Sequence, residues 1–174
     1  MSGEPLCLRG RVAAKLGDNI DTDIIYPGRY LNITDREKTP EHLFELSYPE
    51  IRGLIRPGDF IVGGKNFGCG SSREQAAAAL RFAGVGAVIA VSFARIFFRN
   101  SINLGLPALV SAAAVERLEP GDELLIDLTA GRIEKVAAGE SFSAAPLDPR
   151  AAELIAAGGL IPYLKKKYAA AADR

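Results

Sequence analysis

The residues best suited to chemistry lie together in Gly63-Gly64-Lys65-Asn66-Phe67-Gly68-Cys69-Gly70-Ser71-Ser72-Arg73-Glu74-Gln75. Glycines such as Gly68 and Gly70 let a backbone take unusual conformations and approach a ligand closely. An apolar run precedes the stretch and an alanine-rich run follows it. The pattern predicts a strand, a turn and the start of a helix. A helix start offers unpaired N–H groups and the positive end of the dipole, which together favour an anion. Arg73 is expected in the first helical turn, where its cation opposes that dipole. Gripping a carboxylate through two parallel hydrogen bonds would give it a use there. The same residues have a purely structural reading. Ser71 followed by Glu74 matches a capping box, in which serine accepts from the backbone three residues on. A capping serine cannot also face a substrate, and the adjacent pair Ser71 and Ser72 leaves room for one of each.

Other groups are less specific. Asp21, Thr22 and Asp23 could support a site from behind, or form a turn held by Asx side-chain hydrogen bonds. Arg95 and Arg99 are four residues apart, so a helix there puts both on one face. That face could line a cleft, meet another chain or be solvated. Cys69 is expected to be a small packing residue rather than a nucleophile. His42 is expected at the surface or an interface, and Lys165–Lys167 at a solvated end.

The elements that must position these groups follow from local pattern. A strand is expected at 6–14, and the turn formers at 17–23 interrupt it. A short helix is expected at His42–Ser47. Apolar strands at 60–63, 88–91 and 108–110 alternate with helices at 72–83 and 93–103. That alternation implies a partly parallel sheet, hence an α/β fold. Residues 123–128 and 132–136 flank a turn and read as a β-hairpin, and a helix is expected at about 149–157. There is no internal repeat or clear linker, so residues 1–174 read as one domain.

Composition narrows the function. Lysine plus arginine and aspartate plus glutamate balance at 21 each, which gives no electrostatic case for nucleic acid or a membrane surface. No apolar stretch reaches the roughly 18 residues of a membrane helix, and Met1–Gly10 lacks the apolar core of a signal peptide. The expectation is a cytoplasmic protein. One histidine and two cysteines, Cys7 and Cys69, are too few for a multi-histidine metal site or an iron–sulfur cluster. A metal needed for the reaction would have to come from another chain.

Three blocks carry a resemblance. They are Asp21-Thr22-Asp23-Ile24-Ile25 with Pro27; Asn66-Phe67-Gly68-Cys69-Gly70-Ser71-Ser72-Arg73-Glu74-Gln75-Ala76; and Ser92-Phe93-Ala94-Arg95-Ile96-Phe97-Phe98-Arg99-Asn100-Ser101 with Gly105-Leu106-Pro107. In this order they resemble the small subunits of the 3-isopropylmalate dehydratase family, and the chain is similar to the swivelling C-terminal domain of aconitase. The resemblance implies a three-layer β/β/α swivelling domain. It also implies a hydro-lyase in leucine biosynthesis that isomerises 2-isopropylmalate and 3-isopropylmalate and is inactive without a large subunit. The 4Fe-4S cluster would belong to that large subunit, with none bound by this chain. The substrate would be a small hydroxy acid.

Carried over residue by residue, the family's base is Ser71. Ser72 and Arg73 would hold a substrate carboxylate, and Gly68 and Gly70 would form the anion pocket. Beside that carry-over, Asp21, Thr22, Asp23 and Arg95 could support the site from behind. Tyr30-Leu31-Asn32-Ile33-Thr34 resembles the substrate-recognition loop of archaeal-type members, in which an arginine accompanies tricarboxylic substrates. Asn32 and Ile33 carry no charge, which favours an apolar group such as isopropyl. Arg29 and Arg36 flank the segment and work against that argument. The alternatives are a homoaconitase or 2,3-dimethylmalate dehydratase small subunit and, in a different class, a non-catalytic anion-binding module.

Overall fold

The computed structural model describes residues 6–172. Residues 1–5, half of the N-terminal segment read above, and 173–174, the end of the expected domain, lie outside the described residues. A seven-stranded sheet has the order β4-β3-β2-β1-β5-β6-β7. Its strands are β1 (Cys7–Lys15), β2 (Phe60–Gly63), β3 (Ala87–Ala90), β4 (Ala108–Val110), β5 (Glu123–Asp127), β6 (Arg132–Lys135) and β7 (Glu140–Ser143). Strands β1 to β4 pair in parallel; β5 pairs antiparallel with β1 and starts an antiparallel meander.

Burial explains the two halves. Every residue of β2 and β3 is buried, as expected for parallel strands covered on both faces. One core joins Ile61, Val88 and Ala90 to Ala76, Ala77 and Leu80 of α3 (Glu74–Phe82) and to Phe97 of α4 (Arg95–Asn103). The other joins Phe60, Val62 and Ile89 to Leu124, Ile126 and Ile133. The sheet therefore curls so that the meander closes over one face of the parallel part while α3 and α4 cover the other. This is the expected β/β/α layering. In β5, exposed Glu123 and Leu125 alternate with buried Leu124 and Ile126, the period-two pattern of a strand with one wet face.

The remaining helices are α1 (Thr22–Ile25), α2 (Pro49–Leu54), α5 (Ala112–Arg117), α6 (Pro149–Ala156) and α7 (Leu160–Ala172). Two expectations are corrected. The helix expected at His42–Ser47 is instead a 3-10 turn at Arg36–His42 followed by turns. Pro40 lies inside this turn, and proline has no N–H to extend a helical ladder. The helix expected to start at residue 72 starts at Glu74, with Arg73 as its N-cap at φ −114°, ψ 112°. Arg73 therefore precedes the first helical turn.

Candidate active site

The loops following β1, β2 and β3 meet at one edge of the sheet. This is the carboxyl end of the parallel strands, where open α/β sheets commonly bind ligands. Backbone bonds tie the loops together. Gly68 N–H donates to Ile20 O at 2.7 Å, Thr22 N–H to Cys69 O at 2.9 Å, Phe67 N–H to Ser92 O at 2.9 Å and Ala94 N–H to Phe67 O at 2.9 Å. Phe67 is fully buried, with its ring edge-on to Phe97 at 5.4 Å between centroids. Gly68 has φ +78°, and a Cβ on it would overlap the Phe97 ring. The aromatic plug thus holds the glycine-rich loop from below, and only glycine fits the crossing.

The acidic turn shapes this loop. Asp21 caps α1 by accepting Ile24 N–H at 2.8 Å. Thr22 is buried and donates its hydroxyl to Ser71 O at 3.1 Å. Arg73 N–H donates to the same carbonyl at 2.9 Å. Asp23 pairs with the Arg73 guanidinium and accepts Gly28 N–H at 2.9 Å. Arg73, and to a lesser degree the Gly28 N–H, hold the Asp23 carboxyl below its ordinary value, against the opposing effect of burial. Residues 21–23 thus form a capped turn that also grips the Ser71–Arg73 segment.

The capping box between Ser71 and Glu74 does not form. The helix begins too late for it, and no side chain caps α3. Pinning of the Ser71 carbonyl turns the segment into a tight bend, which leaves both Ser71 and Ser72 exposed. They line an open cleft of about 500 Å³ with Gly68, Gly70, Arg95 and Arg99. Ala94 and Ile96 complete its wall; neither was singled out from sequence, and small apolar residues give no chemical signal. Arg73 lies to one side of this cleft. Its side chain is 15% exposed, with Nη2 at 3.4 Å from Ser71 Oγ. Arg73, expected to hold a substrate carboxylate, thus pairs with Asp23 through Nη1 and reaches Ser71 Oγ through Nη2.

Cys69 is half-buried. Burial, and then the Asp21 charge, push its thiol above the ordinary value, which disfavours the thiolate a nucleophile needs. Cys7 begins β1, whereas Cys69 bridges Asp21 in the turn past the other end of that strand. Eight strand steps place them more than about 20 Å apart. Among the described residues, no group of three or more His, Cys, Asp or Glu is placed to hold a metal ion. The donors of this chain do not fit an iron–sulfur cluster.

Asn32 and Ile33 stand apart from the serine cleft. Asn32 is exposed and lines neither cavity. Ile33 lines a second cavity of about 230 Å³ with Leu31, Thr34, Arg36, Glu74 and Gln75. The two cavities flank the start of α3. Arg36, one of the flanking cations, is paired with Glu74. His42 stacks on Tyr30 with centroids 3.5 Å apart and bonds to Glu45 at 2.7 Å. Glu45 also accepts from Tyr30 Oη at 2.8 Å and pairs with Arg29 at 2.7 Å. This network fastens the base of the 31–39 loop. Its signal was missed because Tyr30, His42 and Glu45 follow no regular spacing.

Fold and site together define a class: an α/β domain whose parallel strands end in an open cleft lined by Gly70, Ser71 and Ser72. The family model for the aconitase C-terminal domain matches residues 19–113. The 3-isopropylmalate dehydratase small subunit of Moorella thermoacetica is 51% identical over 151 residues, which is 87% of this chain and 91% of that protein. The methanogen homoaconitase small subunit of Methanothermobacter thermautotrophicus is 46% identical over 159 residues, 91% of each. A crystal structure of 3-isopropylmalate dehydratase from Methanocaldococcus jannaschii superposes with a TM-score of 0.88 at 39% identity. The match covers 97% of this chain and 99% of that one. The chain belongs to the aconitase C-terminal domain family. Among the described residues, no helix is long and apolar enough to cross a membrane.

Proposed function

We propose that this chain is the small subunit of a hydro-lyase that interconverts 2-isopropylmalate and 3-isopropylmalate in leucine biosynthesis. It works in the cytoplasm and only with a large subunit that carries the iron–sulfur cluster. The cluster would supply Lewis-acid chemistry at the substrate hydroxyl. The observation that carries the reading is the placement of Ser71 Oγ at the mouth of an open cleft, 3.4 Å from the Arg73 guanidinium.

A serine without a neighbouring base is a poor proton acceptor. It works only where its alkoxide is stabilised. Here Arg73 provides a fixed positive charge beside the oxygen, and Asp23 keeps that cation from turning toward solvent. Ser71 then takes the carbon-bound proton and returns it during rehydration. Ser72 presents a second hydroxyl to the substrate from the same bend. Closure of the cleft by the large subunit would exclude water and strengthen each of these contacts.

Ile33 and Leu31 in the second cavity support an apolar variable group on the substrate. A tricarboxylic acid, as in homoaconitase, is the second reading. It is favoured by Arg36, which lines the same cavity; the pairing of Arg36 with Glu74 opposes it. The test is co-expression with a cluster-bearing large subunit and turnover measured on isopropylmalate and homocitrate. Preference for isopropylmalate supports the first reading, preference for homocitrate the second. Failure to assemble or turn over any hydroxy acid would leave the non-catalytic anion-binding module.

A further inference from the structure

We propose that Tyr30, His42 and Glu45 form a latch that positions Ile33 at the second cavity and thereby sets the size of apolar group the site accepts. The inference rests on the proposed function for the substrate, though not for the latch itself.

The link from the latch to Ile33 is direct. The Tyr30 carbonyl accepts the Ile33 N–H at 3.0 Å and the Tyr26 hydroxyl at 3.0 Å. Tyr26 is fully buried in the core, so the backbone at residue 30 is moored to a fixed point. The Tyr30 side chain is held by groups from the far side of the loop. The His42 ring lies nearly parallel to it, with 11° between the planes and 3.5 Å between centroids. Glu45 Oε1 accepts from Tyr30 Oη at 2.8 Å, and Oε2 bonds to His42 Nδ1 at 2.7 Å. Arg29 pairs with the same carboxylate and places its guanidinium 4.8 Å from the Tyr30 ring centre. Tyr30 ends one 3-10 turn, Gly28–Tyr30, and His42 ends the next, Arg36–His42. The stack therefore joins the two ends of the segment that brings Leu31, Ile33, Thr34 and Thr39 to the cavity.

The backbone beside the latch is strained. Phe44 is fully buried at φ +56°, a region that bulky side chains rarely adopt. Its N–H donates to Ile25 O at 2.9 Å. Strain of this kind persists only where the surroundings hold it. Here the reversal at Phe44 lets His42 and Glu45, on either side of it, meet each other and Tyr30. His42, then Tyr30 and Arg29, hold the Glu45 carboxyl below its ordinary value. An ionised carboxylate only accepts, so His42 Nδ1 is the donor in their bond. Tyr30, His42 and Glu45 are thus positioning residues. Loosening them weakens the grip on the variable group and spares the carboxylates common to every malate.

Two measurements test the latch. In the full chain, amide hydrogen exchange at Ile33 should be faster by about tenfold or more in H42A than in wild type, as expected for a local opening, with exchange at Gly68 unchanged. Equal exchange at Ile33 overturns the latch. In the assembled enzyme, H42A should raise KM for isopropylmalate by about fivefold or more with kcat within about threefold, the signature of lost uniform binding. The inhibition constant of malate, which has no variable group, should stay within about twofold. H42N, whose carboxamide can donate to Glu45, and H42F, which keeps the stack, should each recover part of the loss. An unmoved KM overturns the proposal. So does a parallel rise in both constants, or a loss that neither variant recovers, since a merely structural role gives these. Faster exchange at Ile33 in a chain whose wild-type complex turns over no isopropylmalate would keep the latch and remove the proposed reaction.

Discussion

Asp23 pairs with the Arg73 guanidinium while accepting the Gly28 N–H, and Arg73 Nη2 stands 3.4 Å from Ser71 Oγ. A Cβ on Gly28 would crowd Arg73 Nη2 at 3.2 Å. The acidic turn after β1 therefore sets the position of a cation in the loop after β2, and through it the environment of the candidate base.

Asp23→Asn should release Arg73 from this position. Turnover of the assembled enzyme should fall by about 10-fold to 100-fold, in the range found when a group that orients a catalytic partner is lost, while the complex still forms. The Asp23 carboxyl lies below its usual value of 3.8 in the folded chain, chiefly through Arg73. Its contribution to stability is therefore present above about pH 4 and is lost as pH falls through the folded-state value. Wild type and D23N should differ in Tm at pH 7, and the difference should disappear in acid.

Thr22→Val removes the hydroxyl that donates to Ser71 O at 3.1 Å. The loss of one buried hydrogen bond costs about 1 kcal/mol. For a chain of this size that corresponds to a Tm lower by roughly 2–4 °C. Because the bond sets the Ser71 bend, kcat should drop more than the modest change in Tm suggests. Thermal melts and kinetics on the same preparation check this.

Gly68→Ala forces a side chain into a φ of +78° and against Phe97. Strain of this kind costs about 1–3 kcal/mol, with overpacking added. A large fall in Tm is expected. The variant should also lose activity, since the loop and the plug cannot both keep their places.

Glu74→Gln leaves Arg36 without its carboxylate partner beside the second cavity. The ratio of kcat/KM for homocitrate to that for isopropylmalate should rise, because an extra substrate carboxylate then finds a cation. A ratio equal to that of wild type would show that Ile33 and its cavity do not face the variable group.

The parallel core was legible because β2 and β3 are continuous apolar runs separated by helical segments of ordinary length, and the hairpin because Leu124 and Ile126 alternate with exposed neighbours. The start of α3 was not. A Ser-x-x-Glu pattern normally caps a helix, but here Thr22, 49 residues away in sequence, captures the Ser71 carbonyl and tertiary contact overrides the local rule. The pairing of Arg73 with Asp23 could not be read for the same reason, since it depends on how two loops meet. The shared face of Arg95 and Arg99 followed from spacing alone; that it faces the serines did not. The separation of Asn32 from both cavities could not be read either, because no regular element fixes the 31–34 loop.

The central claim is that Ser71 moves the proton. Its most direct test is formation of the unsaturated intermediate, followed by ultraviolet absorbance, in the anaerobically assembled Ser71→Ala complex. The account predicts a rate lower by about 10²–10⁴-fold, the range for loss of a positioned general base, with assembly intact. A rate close to wild type would contradict it.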